Sequence, residues 1–170
     1  FTFCCLPLLI FGIISFLISL NSMTIFDIYL SFVSALLIWG WFEIAFLSGV
    51  ITGKNKKICD NNIKGWERFN LAWKTINYSE FSLLFITFIM YLLVKDSLNN
   101  FGFLTFIILY LARVSAKINF FIGVPYINFE FFPKPISHMK SLFKIKSPSF
   151  FWIISVAIML YLGILWGQNA

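Results

Sequence analysis

The strongest constraint in this chain is an apolar run of membrane length that carries two cations. Residues 104–124, LTFIILYLARVSAKINFFIGV, contain Arg113 and Lys117. About 20 consecutive apolar residues are typical of a transmembrane helix, and a cation inside one costs roughly 2.5–3.5 kcal/mol or more unless it is paired or hydrated. A chain that keeps both cations at membrane depth must therefore supply partners for them.

The composition indicates an integral membrane protein. Hydrophobic residues make up 60% of the sequence, charged residues make up 12%, and the mean hydropathy is +0.89. So few polar side chains cannot cover the surface of a soluble globule of 170 residues. The 23 phenylalanines suit a surface that faces lipid or one that faces pigment, and composition does not choose between them.

Five apolar segments predict an all-α fold, a polytopic transmembrane helical bundle of about five spans. They are residues 3–20, 29–51, 81–94, 103–124 and 150–166. The third segment is short, but apolar side chains recur at helical spacing just before it, at Trp66, Phe69, Trp73 and Ile76. This pattern predicts an interfacial amphipathic helix over 65–78 that leads into the third span.

The start of the chain predicts a membrane helix rather than a signal peptide. The first apolar run has no basic residues before it and no small-residue cleavage site. Since the sequence begins at Phe1, inside this run, we expect a fragment of a longer polypeptide. Residues 1–170 are expected to form a single transmembrane helical domain.

The cations are concentrated in two connections, which predicts the topology. Residues 52–77 and 125–149 hold ten of them: Lys54, Lys56, Lys57, Lys64, Arg68, Lys74, Lys134, Lys140, Lys144 and Lys146. By the positive-inside rule both loops are cytoplasmic in a multi-pass membrane protein. The net charge of +6 then reflects topology and attraction to lipid headgroups, and not the binding of nucleic acid.

Two acidic residues are the expected partners of the membrane-depth cations. Glu43 lies about eight residues, or roughly 12 Å, before the end of the second apolar segment, at a depth similar to that of Arg113. Glu80 lies nearer the same surface and could meet Lys117, which shares a helix face with Arg113. Two interpretations stay open: the pairs specify helix packing, or they form a polar site for a lipid headgroup, a pigment edge or a proton.

No catalytic constellation is present in the sequence, so we expect a protein that is not an enzyme. HExxH, GxSxG and Walker motifs are missing, and His138 is the single histidine. His138 could ligate the magnesium of a chlorophyll or simply face solvent. The string GVITG at 49–53 has the spacing of close helix contact, or it merely ends a helix. Cys4, Cys5 and Cys59 have no metal-binding spacing.

Four strings in one order carry a family resemblance. They are WGWFEIAFLSGVITG, WERFNLAWKTINYSEF, NFGFLTFIILYLARVSAKINFFIGVP and FEFFPKPISHMKSLF, and they lie within residues 38–143. Together they resemble the PuhE-type photosynthetic complex assembly family of purple phototrophic bacteria. The resemblance implies a polytopic inner-membrane protein that assembles or accompanies the reaction centre and its light-harvesting antenna.

The resemblance also bears on individual residues. It implies that Glu43, Glu80, Arg113, Lys117 and Asn119 are the polar positions shared with the family. Two further family positions are typically histidine, and here they hold Phe42 and Ser79. The resemblance therefore implies that any pigment or proton chemistry of those histidines is lost, which favours a scaffolding role.

The sequence leaves three candidate functions. The leading one is a non-enzymatic membrane protein of the photosynthetic apparatus, with reaction-centre and light-harvesting polypeptides, lipids and pigments as partners. Its aromatic surfaces would contact bacteriochlorophyll, carotenoid or quinone. The alternative is a small transporter or a lipid- or pigment-handling protein that uses the level of Glu43 and Arg113 as its polar site. The third, a membrane enzyme, has no motif to support it.

Overall fold

The computed structural model describes residues 2–60, 62–63, 65–147 and 149–169. Lys64, one of the cations of the first basic loop, lies outside them. The described residues form five α-helices: α1 (Leu6–Ser19), α2 (Ile25–Leu47), α3 (Gly65–Val94), α4 (Phe101–Ile122) and α5 (Phe150–Asn169). A 3-10 turn, Phe3–Cys5, precedes α1. A longer 3-10 segment, Lys134–Leu142, follows α4 and is kinked at Ile136. The all-helical fold class is therefore as predicted.

Three helices are long and apolar enough to cross a membrane, and five spans are not supported. α2, α3 and α4 have 23, 30 and 22 residues, so each exceeds the roughly 30 Å of a bilayer core at about 1.5 Å per residue. α1 has only 14 residues, because its helix stops before the turn at residues 20–24. The apolar part of α5, Phe150–Leu165, is also shorter than a typical span.

The helix α3 runs without a break from Gly65 to Val94. The amphipathic stretch and the third apolar segment are thus one helix, in agreement with the helical periodicity, whereas the placement of residues 65–78 at the membrane interface stays a prediction. At about 45 Å this helix is longer than a bilayer core is thick. Its first three turns therefore extend toward the basic loops.

Hydrogen bonds between loops show that the helices alternate in direction. At one end, the backbone N–H of Cys59 donates to Ser141 Oγ at 2.8 Å, which joins the two basic loops. At the other end, Asn99 Nδ2 donates to the carbonyl oxygens of Ser19 and Asp27 at 2.9 and 3.1 Å. Both basic loops therefore lie at the same end of the bundle, called the basic end below. The assignment of that end to the cytoplasm stays a prediction.

Small side chains hold α1, α2 and α4 close together near the opposite end. The backbone N–H of Gly102 donates to Ser31 Oγ at 2.7 Å, and a Cβ at Gly102 would lie 2.6 Å from the Ser31 carbonyl oxygen. Ser34 and Ala35, on the next turn of α2, are completely buried. Small residues allow this close approach between membrane helices, where packing and not water exclusion drives association.

A compact apolar core lies just beyond these small residues, toward the basic end. It includes Phe16, Ile38, Leu83, Met90 and Phe106, all buried. Trp39 meets Phe106 edge to face, with ring centroids 5.4 Å apart. The core fixes the positions of α2, α3 and α4 next to the charged residues described below.

Candidate functional site

The guanidinium of Arg113 on α4 forms an ion pair with Glu43 on α2. Its Nη1 donates to Glu43 Oε1, and the Arg113 side chain is buried whereas that of Glu43 is 30% exposed. α2 ends at Leu47, where Gly49 takes the positive φ of 78° that terminates the helix. Glu43 therefore lies only about 6 Å from the end of its helix, half the depth expected from the sequence.

α3 contributes two further groups to the same cluster. Arg113 Nη2 donates to Ser79 Oγ at 2.6 Å, and Arg113 Nε lies 3.5 Å from Glu80 Oε1. Lys117, one turn after Arg113 on α4, donates to Glu80 Oε1 at 2.5 Å. These five residues, Glu43, Ser79, Glu80, Arg113 and Lys117, are called the ion-pair cluster below.

The cluster is electrically balanced. Its ionised groups are two carboxylates and two cations, which give a formal sum of zero. Phe46 on α2 faces both cations, with its ring centroid 4.6 Å from Arg113 Cζ and 4.3 Å from Lys117 Nζ. Pairing and stacking offset part of the desolvation cost that an isolated cation would carry at this depth.

Ser79 belongs to this cluster, although in the sequence it stands out only as a departure from a family histidine. A serine on a helix carries no pattern that predicts a buried role. The sequence points to Ser79 only through its neighbour. If Glu80 faces α4, then Ser79 lies within reach of Arg113. Phe42, the other such position, packs against the apolar core instead.

A cavity of about 940 Å³ lies beside the ion-pair cluster, toward the basic end. One face of α3, a long stretch of α4 and the end of α2 form its walls, and residues from 128 to 143 form its roof. The lining is mainly apolar and aromatic, with rings such as Phe69, Trp73, Phe121 and Phe132. Glu43, Glu80, Arg113, Lys117 and Asn128 supply the polar groups.

Asn119 lies apart from the ion-pair cluster. Its Nδ2 donates to Ser155 Oγ at 2.9 Å, and both residues are buried. Asn119 Oδ1 is buried without a hydrogen-bond donor among the residues that the structure describes. The interaction joins α4 to α5, so the geometry of Asn119 is that of a helix contact.

His138 lies on the 3-10 segment, at the basic end, and does not line the cavity. Its side chain is half-buried, and Nε2 has no hydrogen-bond partner in the described part of the chain. Burial, together with the positive charge of Lys56, holds the pKa of His138 below its usual range. The lowered pKa favours the neutral form of the imidazole.

Arg68 is buried, although the sequence places it among the cations of the first basic loop. Its Nη2 donates to the carbonyl oxygens of Phe121 at 3.0 Å and Leu142 at 2.5 Å. The guanidinium also lies over the Phe121 ring, 4.2 Å from its centroid. Arg68 thus connects α3, the end of α4 and the roof of the cavity, where helix-terminal carbonyls need donors.

The GVITG string brings the loop after α2 against α3. Gly53 N donates to the Thr75 carbonyl oxygen at 2.7 Å, and Asn55 N donates to that of Lys74 at 3.2 Å. A Cβ at Gly53 would overlap the Lys74 carbonyl oxygen. The close contact predicted for this string is therefore made by a loop on a helix, and not by two packed helices.

Among the described residues, no group of three or more His, Cys, Asp or Glu side chains could hold a metal ion. The ion-pair cluster and the cavity place paired charges beside an apolar space. Fold and site together define an all-helical protein, in which three helices are long and apolar enough to cross a membrane and a balanced ion-pair cluster lies at their junction.

Over residues 2–170 the chain matches the family described as "Protein of unknown function (DUF3623)", and it belongs to that family. It is 38% identical over 165 residues to the "Uncharacterized 30.4 kDa protein in puhA 5'region" of Rhodobacter capsulatus. The alignment covers 97% of this chain and 60% of that relative, so the chain spans less than two thirds of the relative's length. No solved structure matches the chain.

Proposed function

We propose that this protein is a non-enzymatic, multi-pass inner-membrane protein of the photosynthetic apparatus of purple bacteria, of the PuhE type. In this role it assembles or accompanies the reaction centre and the light-harvesting antenna. The observation that carries the proposal is the relative encoded in the puhA 5' region, which is 38% identical along nearly the whole chain. The four ordered sequence strings point to the same role.

The ion-pair cluster supports a structural role for the buried charges. Arg113 contacts Glu43, Ser79 and Glu80, and Lys117 contacts Glu80. Each charged group in these contacts already has a partner of opposite charge, which suits a structural role. The cluster fixes the relative rotation of α2, α3 and α4.

An apolar stripe on α3 supports contact with other membrane components. Phe81, Leu84, Phe85, Phe88 and Leu92 recur at helical spacing and are all exposed. Such a face suits lipid, a neighbouring transmembrane helix or the flat ring of a pigment. It offers reaction-centre and antenna polypeptides a continuous surface without charged side chains.

A deletion strain tests the proposal. Loss of the gene should reduce the near-infrared bands of assembled reaction centre and antenna while bacteriochlorophyll synthesis continues. Normal bands would contradict the assembly role, and accumulation of an unfinished pigment precursor would favour an enzyme instead. Restoring the gene in trans, with wild-type bands recovered, is the control for effects on neighbouring genes.

The cavity favours a second candidate, a lipid- or pigment-handling protein. In this function, the level of Glu43 and Arg113 is the polar end of a binding site for an apolar molecule. Purification from photosynthetic membranes separates the two candidates. Copurifying reaction-centre polypeptides support the assembly role, and a protein recovered without them but with a bound apolar molecule supports the second candidate.

A further inference from the structure

We propose that the cavity beside the ion-pair cluster binds one membrane amphiphile whose polar end is uncharged and carries carbonyl or hydroxyl oxygens. The inference goes beyond assembly, because it assigns a ligand class to a site inside this chain. It rests on the size and lining of the cavity and on the charge balance of the cluster.

The dimensions of the cavity suit a whole molecule and not a few waters. Its volume of about 940 Å³ lies near the upper end of the roughly 300–1,000 Å³ that is usual for ligand pockets. Along α3 it reaches from Glu80 to Phe69, a distance of about 16 Å at 1.5 Å per residue. A ligand that fills it is therefore elongated.

The lining determines what kind of body the ligand has. Trp73 and Ile76 on α3 face Phe120 and Phe121 on α4, with Phe132 in the roof. Water in such a space would find few hydrogen-bond partners, since polar groups are concentrated at one end. An apolar body with a ring or an unsaturated chain gains the most contact with these aromatic walls.

The ion-pair cluster determines the polar end. With two carboxylates and two cations already paired, an anionic head would meet Glu43 and Glu80, and a cationic head would meet Arg113 and Lys117. Either charge would give the balanced cluster a net charge that no partner offsets, at the cost of a buried uncompensated ion. An uncharged head avoids this cost.

Hydrogen-bonding capacity remains for such a head. Lys117 has three ammonium hydrogens, of which one is donated to Glu80. The Lys117 side chain is 22% exposed and lines the cavity. A carbonyl or hydroxyl oxygen can accept from this ammonium, and a hydroxyl can also donate to the partly exposed Glu43 carboxylate.

Decylubiquinone, an uncharged dicarbonyl ring with a short apolar tail, is the probe for the test. The full-length protein is placed in phosphatidylcholine nanodiscs, and the thermal unfolding midpoint is followed as the probe is added. A saturable rise in the midpoint is expected, since a ligand that binds the folded state stabilises it. Oleate, which has an anionic head on a comparable apolar chain, should give no saturable rise.

Filling the cavity provides the decisive variant. Ala72→Trp places an indole in the cavity wall and should weaken decylubiquinone binding by about tenfold or more, because the ligand loses its space. Ala157→Trp, at an exposed position on α5, is the matched control and should bind like wild type. Ile76→Trp, on the same face of α3, replaces Ala72→Trp if that variant loses its helical circular dichroism.

Three results would overturn the proposal: a rise that does not saturate, equal loss in Ala157→Trp and the filled variants, or oleate binding as tight as that of the quinone. The outcome is independent of the deletion strain. The cavity can fail to bind the ligand although assembly of the antenna and reaction centre depends on the gene. It can also bind the ligand although assembly does not depend on the gene.

Discussion

Arg113 contacts Glu43 across 70 positions of sequence, and the same guanidinium also reaches Ser79 and Glu80. One side chain of α4 therefore connects α2 and α3. Glu43, by contrast, is a partly exposed residue near the end of its helix. The two members of the pair are thus expected to differ in their importance for stability.

The first prediction uses this asymmetry. Arg113→Leu leaves two carboxylates without their guanidinium and should reduce the free energy of unfolding by about 3–5 kcal/mol. Glu43→Leu should cost less, because Arg113 keeps Ser79 and Glu80. The double variant should cost less than the sum of the two, since the carboxylate that Arg113→Leu strands is also removed. Denaturation in detergent measures all three, and strictly additive losses would contradict a direct pair.

Ser79 is predicted to matter through its hydroxyl. Ser79→Ala removes the oxygen that accepts from Arg113 and should destabilise by about 1–3 kcal/mol, because a buried charged donor loses its partner. Ser82→Ala is the matched control on the same helix. The Ser82 hydroxyl donates only to the Tyr78 carbonyl oxygen at an exposed position, so its loss should change stability by less than about 0.5 kcal/mol. Equal losses in the two variants would argue against a role for Ser79 in the cluster.

The charge pairs were accessible to sequence reasoning because charges in apolar runs are rare. Arg113 and Lys117 are four residues apart on a helix of membrane length, so acidic partners were required at the same level. The helix end at Leu47 was not accessible, since apolar residues continue to Ile51 and only the positive φ of Gly49 marks the stop. The burial of Arg68 was also missed, because it depends on where the roof of the cavity folds back.

Replacing Gly53 and Gly40 by alanine should change the stability of the protein in opposite directions. Gly53→Ala places a methyl group against the Lys74 carbonyl oxygen, and such overpacking costs about 1–3 kcal/mol. A methyl group at Gly40, inside α2, would meet no atom of a neighbouring element within 4 Å in the described part of the chain. Gly40→Ala should therefore stabilise by about 0.5–1 kcal/mol through helix propensity. Thermal unfolding midpoints of the two variants check this, and a tolerated Gly53→Ala would contradict the packing of the loop on α3.

The half-buried His138 predicts a loss of stability in mild acid. Its pKa is lowered on folding by burial and by Lys56, so the unfolded chain binds the proton more readily. Stability is then fully present above the unfolded pKa of about 6.5 and decreases as pH falls below it. Unfolding midpoints between pH 7.5 and 5 should decline less in His138→Gln than in wild type. Lys56→Gln should reduce the decline partially, and an unchanged decline in His138→Gln would assign it to other groups.

The last prediction concerns the side of the membrane on which the basic end lies. With α2, α3 and α4 as spans, the loops after α2 and α4 share one side, and their lysines predict that it is cytoplasmic. In a background with Cys4, Cys5 and Cys59 replaced by serine, Lys57→Cys and Ser147→Cys should stay unlabelled by a membrane-impermeant maleimide in intact spheroplasts. Leu98→Cys, exposed at the opposite end, should be labelled. Permeabilised spheroplasts are the control, because all three cysteines should react in them. Labelling of either basic loop in intact spheroplasts would contradict the predicted topology.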